Sequence, residues 1–242
     1  SSAIVAACFL SIIALVSCGG SSQSNKRNLP ASGSESAATA DPKATPDTPE
    51  DKRPVIVTFG DSLTQGVSGK SYPAFLQDLL DRQGYSYRVD NQGVSGDTTT
   101  DGLARIDNVI AAKPALVVLE FGGNDGLRGI PVDATKQNLA EIIEKLRSAR
   151  IPVVLAGITL PPNYGPEYVK PFTAIFPSLA SKYKLRFLPF LLTHVYSNPV
   201  LMQPDGIHPS EAGNRIVAQD IFDLIRPMLS KVSPVLSHHP HA

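Results

Sequence analysis

The chain has no tryptophan, only two methionines and only two cysteines in its 242 residues. Both cysteines, Cys8 and Cys18, precede Gly19, so the rest of the chain can build neither a disulfide framework nor a thiolate metal site. Neither sign of charge is in excess. Lys and Arg number 22 against 22 Asp and Glu, which leaves no basic stripe for a nucleic acid. There is no G-x-x-x-x-G-K-[ST] loop, and the glycines near Gly93 lack the dinucleotide fingerprint, so nucleotide binding is disfavoured. The apolar run Ala3 to Val16 falls short of the roughly 20 residues an α-helix needs to cross a bilayer. No internal repeat and no second folded domain is visible.

What is present begins with that short run. Residues 1–17 fit the apolar part of an export signal, although no Met or basic leader stands before them and the displayed chain reads as truncated there. The segment Leu15-Val16-Ser17-Cys18-Gly19-Gly20 resembles the lipobox of bacterial lipoproteins, in which cleavage precedes the cysteine and the thiol is lipidated. That resemblance implies a lipid anchor at Cys18 and a cell-envelope location, facing the periplasm or exterior; the alternative is a plain secretory signal that contains a cysteine. Residues 18–53 are mostly Ser, Ala, Pro, Thr, Asp and Lys, too poor in large apolar side chains to fold, and are expected to be a disordered tether. Its mean reach is about 30–35 Å. The tail, 232–242, with Ser237-His238-His239-Pro240-His241, is expected to be a frayed polar end, with weak metal binding as the alternative.

Between them, 42% hydrophobic and 18% charged residues overall suit one substantial core. Strand signals at Val55–Phe59, Tyr87–Asn91, Ala115–Phe121, Val153–Ile158 and Arg186–Pro189 alternate with helical patterns. The helices are expected at Tyr72–Gln83, Thr99–Ala112, Asp133–Ala149, Pro166–Lys182 and Ser210–Met228, the last with Pro209 in its first turn. Such alternation predicts a three-layer α/β/α domain over 54–231, with a flavodoxin-like, parallel, five-stranded sheet. Ligands of these sheets bind outside the carboxyl ends of the strands. There the sequence places Gly60-Asp61-Ser62-Leu63, Gly93-Val94-Ser95-Gly96-Asp97, Gly122-Gly123-Asn124-Asp125 and, past a loop, Asp205-Gly206-Ile207-His208-Pro209.

These clusters suit nucleophilic acyl transfer. A serine hydroxyl is a weak nucleophile until a histidine takes its proton and a carboxylate orients that histidine. Ser62, His208 and Asp205 can fill those roles, and the Ser62 N–H, Gly93 N–H and Asn124 carboxamide can supply an oxyanion hole. His194 is the competing base, but it sits in a loop without an adjacent carboxylate. Asp61, Asp97 and Asp125 are expected to brace their loops through backbone amides.

The same four blocks, in order, resemble those of the SGNH, or GDSL-type, hydrolase superfamily, and the resemblance covers Val55 to about Pro227. Val94–Asp107 (with Gly102-Leu103-Ala104-Arg105), Glu120–Pro131, Leu160–Pro166 and Leu201–Asp205 resemble its bacterial arylesterase, acyl-CoA thioesterase I and lysophospholipase branch. The resemblance implies the SGNH hydrolase fold and a serine esterase that needs no metal or organic cofactor. In this reading Ser62 attacks the acyl carbonyl, His208 is base then acid, Asp205 orients it, and Ser62, Gly93 and Asn124 hold the oxyanion. The implied substrates are arylesters, lysophospholipids and acyl thioesters. Leu127, Ile130 and Pro131, in the loop after the asparagine block, are expected to line an acyl groove with Leu160 and Pro161. Two alternatives are a carbohydrate O-acetyl esterase with the same triad and a non-catalytic ligand-binding lipoprotein.

Overall fold

The computed structural model describes residues 51–231. The expected export segment, Cys18, nearly all of the expected tether and the tail at 232–242 lie outside the described residues.

Five strands, β1 (Val55–Gly60), β2 (Arg88–Gly93), β3 (Leu116–Leu119), β4 (Val153–Ala156) and β5 (Arg186–Leu188), form one parallel sheet in the order β2-β1-β3-β4-β5. The flavodoxin-like expectation therefore holds. Every residue of β3 and β4 is buried, as unbroken apolar runs in a doubly covered sheet should be. The edge strands β2 and β5 carry Arg88, Asp90, Asn91 and Arg186 and are half-open to solvent.

Five long helices cover the faces: α2 (Tyr72–Arg82), α3 (Thr99–Ala111), α5 (Val132–Ser148), α6 (Pro166–Tyr183) and α7 (Glu211–Ile225). Helices α2 and α7 pack together on one side, while α3, α5 and α6 pack in sequence on the other. This is what right-handed crossovers dictate when the chain steps from β1 outward to β2 and then reverses through β3, β4 and β5. The buried core runs across both faces, with Phe59, Tyr72, Phe121, Phe172 and Phe176 among its largest fully enclosed side chains.

Two short helices, α1 (Ser62–Gln65) and α4 (Gly123–Leu127), follow β1 and β3. The sequence shows them only as polar, glycine-rich clusters, because one turn is too short to display a helical period. The last helix is shorter than expected. Ser210 is its N-cap, with Oγ accepting from the Gly213 N–H at 3.3 Å, so Pro209 lies outside the helix and instead bridges to Met202. At the other end Pro227 has no N–H to donate back one turn, and the chain tightens into a 3₁₀ turn over Arg226–Met228.

The strand order reverses between β1 and β3. The loops after these two strands diverge there and leave a crevice, the position at which such sheets hold ligands. Ser62 follows β1 and Asn124 follows β3.

Candidate active site

Ser62 is the first residue of α1, set at a sharp strand-to-helix turn. Two residues without side chains make the turn possible. A Cβ on Gly60 would lie 2.2 Å from Thr64 Oγ1 and 2.5 Å from the Glu120 carbonyl oxygen. A Cβ on Gly93 would lie 2.2 Å from the Gln65 backbone nitrogen. Glycine at 93 is therefore required by the close approach of β2 to the end of α1.

The loop after residue 201 brings His208 across to this turn. Its Nε2 is 2.8 Å from Ser62 Oγ, and its Nδ1 is 2.7 Å from Asp205 Oδ2. The other Asp205 oxygen accepts from the backbone N–H groups of Ile207 (2.9 Å) and His208 (3.0 Å), which fixes the carboxylate against its own loop. Partial burial alone would raise the Asp205 carboxyl. The hydrogen bonds from the His208 amide, its ring and the Ile207 amide outweigh it and hold the group below the usual carboxylate range. Asp205 thus stays a carboxylate, which keeps the Nδ1 proton on the imidazole and leaves Nε2 free to accept from the serine.

The Ser62 N–H has no partner among the described residues. The two other expected oxyanion donors are already engaged. The Gly93 N–H donates to Asn91 Oδ1 at 2.9 Å, and Asn124 Nδ2 donates to the Asp97 carbonyl at 2.9 Å and to Asp61 Oδ2 at 3.2 Å. An incoming oxyanion would take the place of the Asn91 carboxamide at Gly93 and compete with the Asp61 and Asp97 oxygens at Asn124.

The three braces differ from one another. Asp61 caps α1, accepting from the Leu63 N–H at 3.0 Å, and its other oxygen orients Asn124. Asp125 accepts from the Thr99 amide and hydroxyl (2.9 and 2.5 Å) and from the Thr135 hydroxyl (3.2 Å), joining α4 to the starts of α3 and α5. Asp97 braces through a side chain where an amide was expected, pairing with Arg105 Nε at 2.8 Å. Arg105 was quoted in the resemblance without a role. Its guanidinium also donates to the Gln92 and Gly60 carbonyls (2.8 and 3.0 Å) and lies 4.5 Å from the Phe59 ring centre. It ties the ends of β1 and β2 to the loop that holds Asn124. Helical periodicity gave no sign of this, because it marks only which face is buried.

Beside Ser62 runs an apolar groove of about 440 Å³, counting space open to solvent, lined by Leu63, Leu127, Ile158, Leu160, Phe190 and Ile207 among others. Leu127, Leu160 and Pro161 are in its lining. Ile130 and Pro131 do not line it. The Ile130 N–H is bonded to the Asp125 carbonyl, its own carbonyl accepts from Tyr168 Oη on α6, and Pro131 is the N-cap of α5. Phe190 and Tyr196, which do line it, come from an irregular stretch after β5 that carries no period to read. The expectation for His194 also needs correcting. It does have a carboxylate, Asp220 on α7, whose oxygens lie 2.9 and 3.0 Å from Nδ1. The 26-residue separation hid this pairing; His194 itself is exposed, and neither partner is hydrogen-bonded to Ser62 among the described residues.

A model of the GDSL-like lipase/acylhydrolase family matches residues 58–216. The chain belongs to that family. Among its relatives, the esterase TesA of Pseudomonas aeruginosa is 40% identical over 178 residues, 72% of this chain and 89% of its own length. The arylesterase of Vibrio mimicus is 38% identical over 168 residues, 68% of this chain and 84% of that one. The thioesterase 1/protease 1/lysophospholipase L1 of Escherichia coli K12 is 36% identical over 176 residues, 72% and 85% respectively. A crystal structure of TesA matches the fold with a TM-score of 0.69 at 40% identity, covering 72% of this chain and 99% of that one. This member of the GDSL-like family is a carboxylic ester hydrolase.

Proposed function

We propose that this hydrolase cleaves carboxylic esters, and acyl thioesters by the same chemistry, through an acyl-enzyme on Ser62. The observation that carries the reading is the unbroken relay of 2.8 and 2.7 Å contacts from Ser62 Oγ through His208 to Asp205. Ser62 Oγ attacks the acyl carbonyl while His208 Nε2 takes its proton; the tetrahedral oxyanion rests on the Ser62 and Gly93 amides and the Asn124 carboxamide. The same imidazole then protonates the departing alkoxide or thiolate. Water, deprotonated by His208, repeats the attack on the acyl-enzyme and frees Ser62.

The groove at Leu127, Leu160 and Phe190 takes the acyl chain, since apolar walls beside the nucleophile favour a hydrocarbon over a sugar. The names of the relatives, esterase, arylesterase and thioesterase/lysophospholipase, support the same reading over a carbohydrate O-acetyl esterase. A panel of p-nitrophenyl esters, acyl-CoA thioesters, lysophosphatidylcholine and acetylated xylan tests it. Short- to medium-chain esters are expected to turn over, with kcat/KM rising by about 10–200-fold per methylene until the groove is filled. Turnover of acetylated xylan alone would overturn it.

Export and lipid anchoring complete the proposal on the strength of the apolar run Ala3 to Val16 and the segment Leu15-Val16-Ser17-Cys18-Gly19-Gly20. With the full chain expressed in a bacterial host, palmitate label is expected on the wild type and absent from Cys18→Ala. Equal labelling of the two would refute the anchor.

A further inference from the structure

Glu120 has no part in the relay, yet it is completely buried directly behind the turn that carries Ser62. It follows the last residue of β3, and its backbone N–H extends the ladder to the Phe59 carbonyl at 2.9 Å. One carboxyl oxygen, Oε2, accepts from the Thr64 hydroxyl at 2.8 Å and from the Asp61 backbone N–H at 3.4 Å. These two residues flank Ser62, one at the cap of α1 and one within it. The other oxygen, Oε1, is buried with no partner among the described residues. A buried carboxylate with one bare oxygen is costly, whereas a neutral acid is far less so.

The groups facing Glu120 decide where the charge resides. From α1 come Asp61 and Thr64, and from α2 comes the Tyr72 hydroxyl, 3.2 Å from Thr64 Oγ1. Arg105 on α3 is not among the hydrogen-bond partners of Glu120; its guanidinium is spent on Asp97 and on backbone carbonyls. Asp61 is also buried, and burial lifts its carboxyl to about 6, but the Leu63 N–H, His208 across the serine and Asn124 Nδ2 all favour its charged form. Two adjacent buried carboxyls cannot both ionise cheaply, so Asp61, with a donor on each oxygen, ionises before Glu120, which keeps the proton. Burial first, and then the Asp61 charge, push the Glu120 carboxyl well above the usual range, in the same direction as the geometry.

We propose that Glu120, held as a neutral acid, is a positioning residue for ester hydrolysis: it pins both sides of the Ser62 turn while leaving the negative charge of the buried Glu120–Asp61 pair on Asp61, which orients Asn124. The proposal rests on Ser62 being the nucleophile. In the wild type, folding retains a proton on Glu120 that the unfolded chain releases above the ordinary carboxylate pKa. Stability from this group is therefore present at low pH and lost as pH rises. Glutamine copies the neutral acid and carries no such loss.

The test compares wild type, Glu120→Gln and Glu120→Leu by p-nitrophenyl butyrate kinetics and by thermal melts from about pH 5 to about pH 8. Glu120→Gln is expected to keep kcat within about threefold, and its melting temperature should gain on the wild type as pH rises. Glu120→Leu, which loses both hydrogen bonds, should lower kcat by about tenfold or more with KM within about twofold. A fast Glu120→Leu enzyme, a Glu120→Gln enzyme as slow as Glu120→Leu, or a melting difference flat with pH would each overturn the proposal. An inactive wild type would instead refute the nucleophile reading, so the two failures are distinguishable.

Discussion

Replacing Ser62 with alanine is expected to cut kcat/KM for a p-nitrophenyl ester by on the order of 10⁴–10⁶-fold, while the melting temperature stays within a few degrees of wild type. The size of the loss follows from what the hydroxyl does. Without Oγ no acyl-enzyme can form, and the surviving donors at Ser62 N–H, Gly93 and Asn124 can only assist direct attack by water. Retention of the fold follows from how little else depends on the side chain. The α1 turn is capped by Asp61, sterically set by Gly60 and Gly93, and pinned by Glu120, none of which uses Ser62 Oγ. Its hydrogen bond is the one to His208. A Ser62→Ala enzyme with wild-type turnover would require another nucleophile.

Nearly as large a loss, about 10⁴-fold or more in kcat, is expected of His208→Ala. The imidazole is hydrogen-bonded at both nitrogens, to Ser62 and to Asp205, so no other group stands ready to accept the serine proton. The substitution leaves the loop its own support. The amides of residues 207 and 208 still donate to Asp205, and Gln203 still bonds the carbonyls of residues 208 and 209. Circular dichroism and melting should therefore match wild type. His194→Ala is the informative companion, because His194 also has a carboxylate at Asp220, yet it is exposed and not bonded to the nucleophile. It should keep activity within about twofold. If His194→Ala were the inactive variant and His208→Ala the active one, the base would be misassigned.

Much of this was legible in the chain itself. Alternating strand and helix periods determined the sheet type, because β3 and β4 are unbroken apolar runs and the helices each carry one apolar face. Ser62, Asn124 and His208 were visible because glycine, asparagine and aspartate gather just past strand ends, where a parallel sheet opens. What stayed hidden depends on distance in space between residues far apart in sequence. His194 and Asp220 are one such pair, and Phe190 and Tyr196 reach the groove from a stretch with no period. Glu120 was read as part of the strand at Ala115–Phe121 and of a family-like stretch, since a lone acid in an apolar run gives no sign in sequence of being sealed against the Ser62 turn. The Gly93 requirement was legible as a glycine but not as contact with Gln65, and the donors at Gly93 and Asn124 turned out to be occupied by Asn91, Asp97 and Asp61.

Intact-protein and peptide mass spectrometry after treatment with an organophosphonate ester tests the central claim most directly. The wild type should gain one phosphonyl group, on the peptide that carries Ser62. The adduct should be absent from Ser62→Ala and form far more slowly in His208→Ala. An adduct on any other serine, or a fully active enzyme that the phosphonate neither modifies nor inhibits, would contradict Ser62 as the nucleophile.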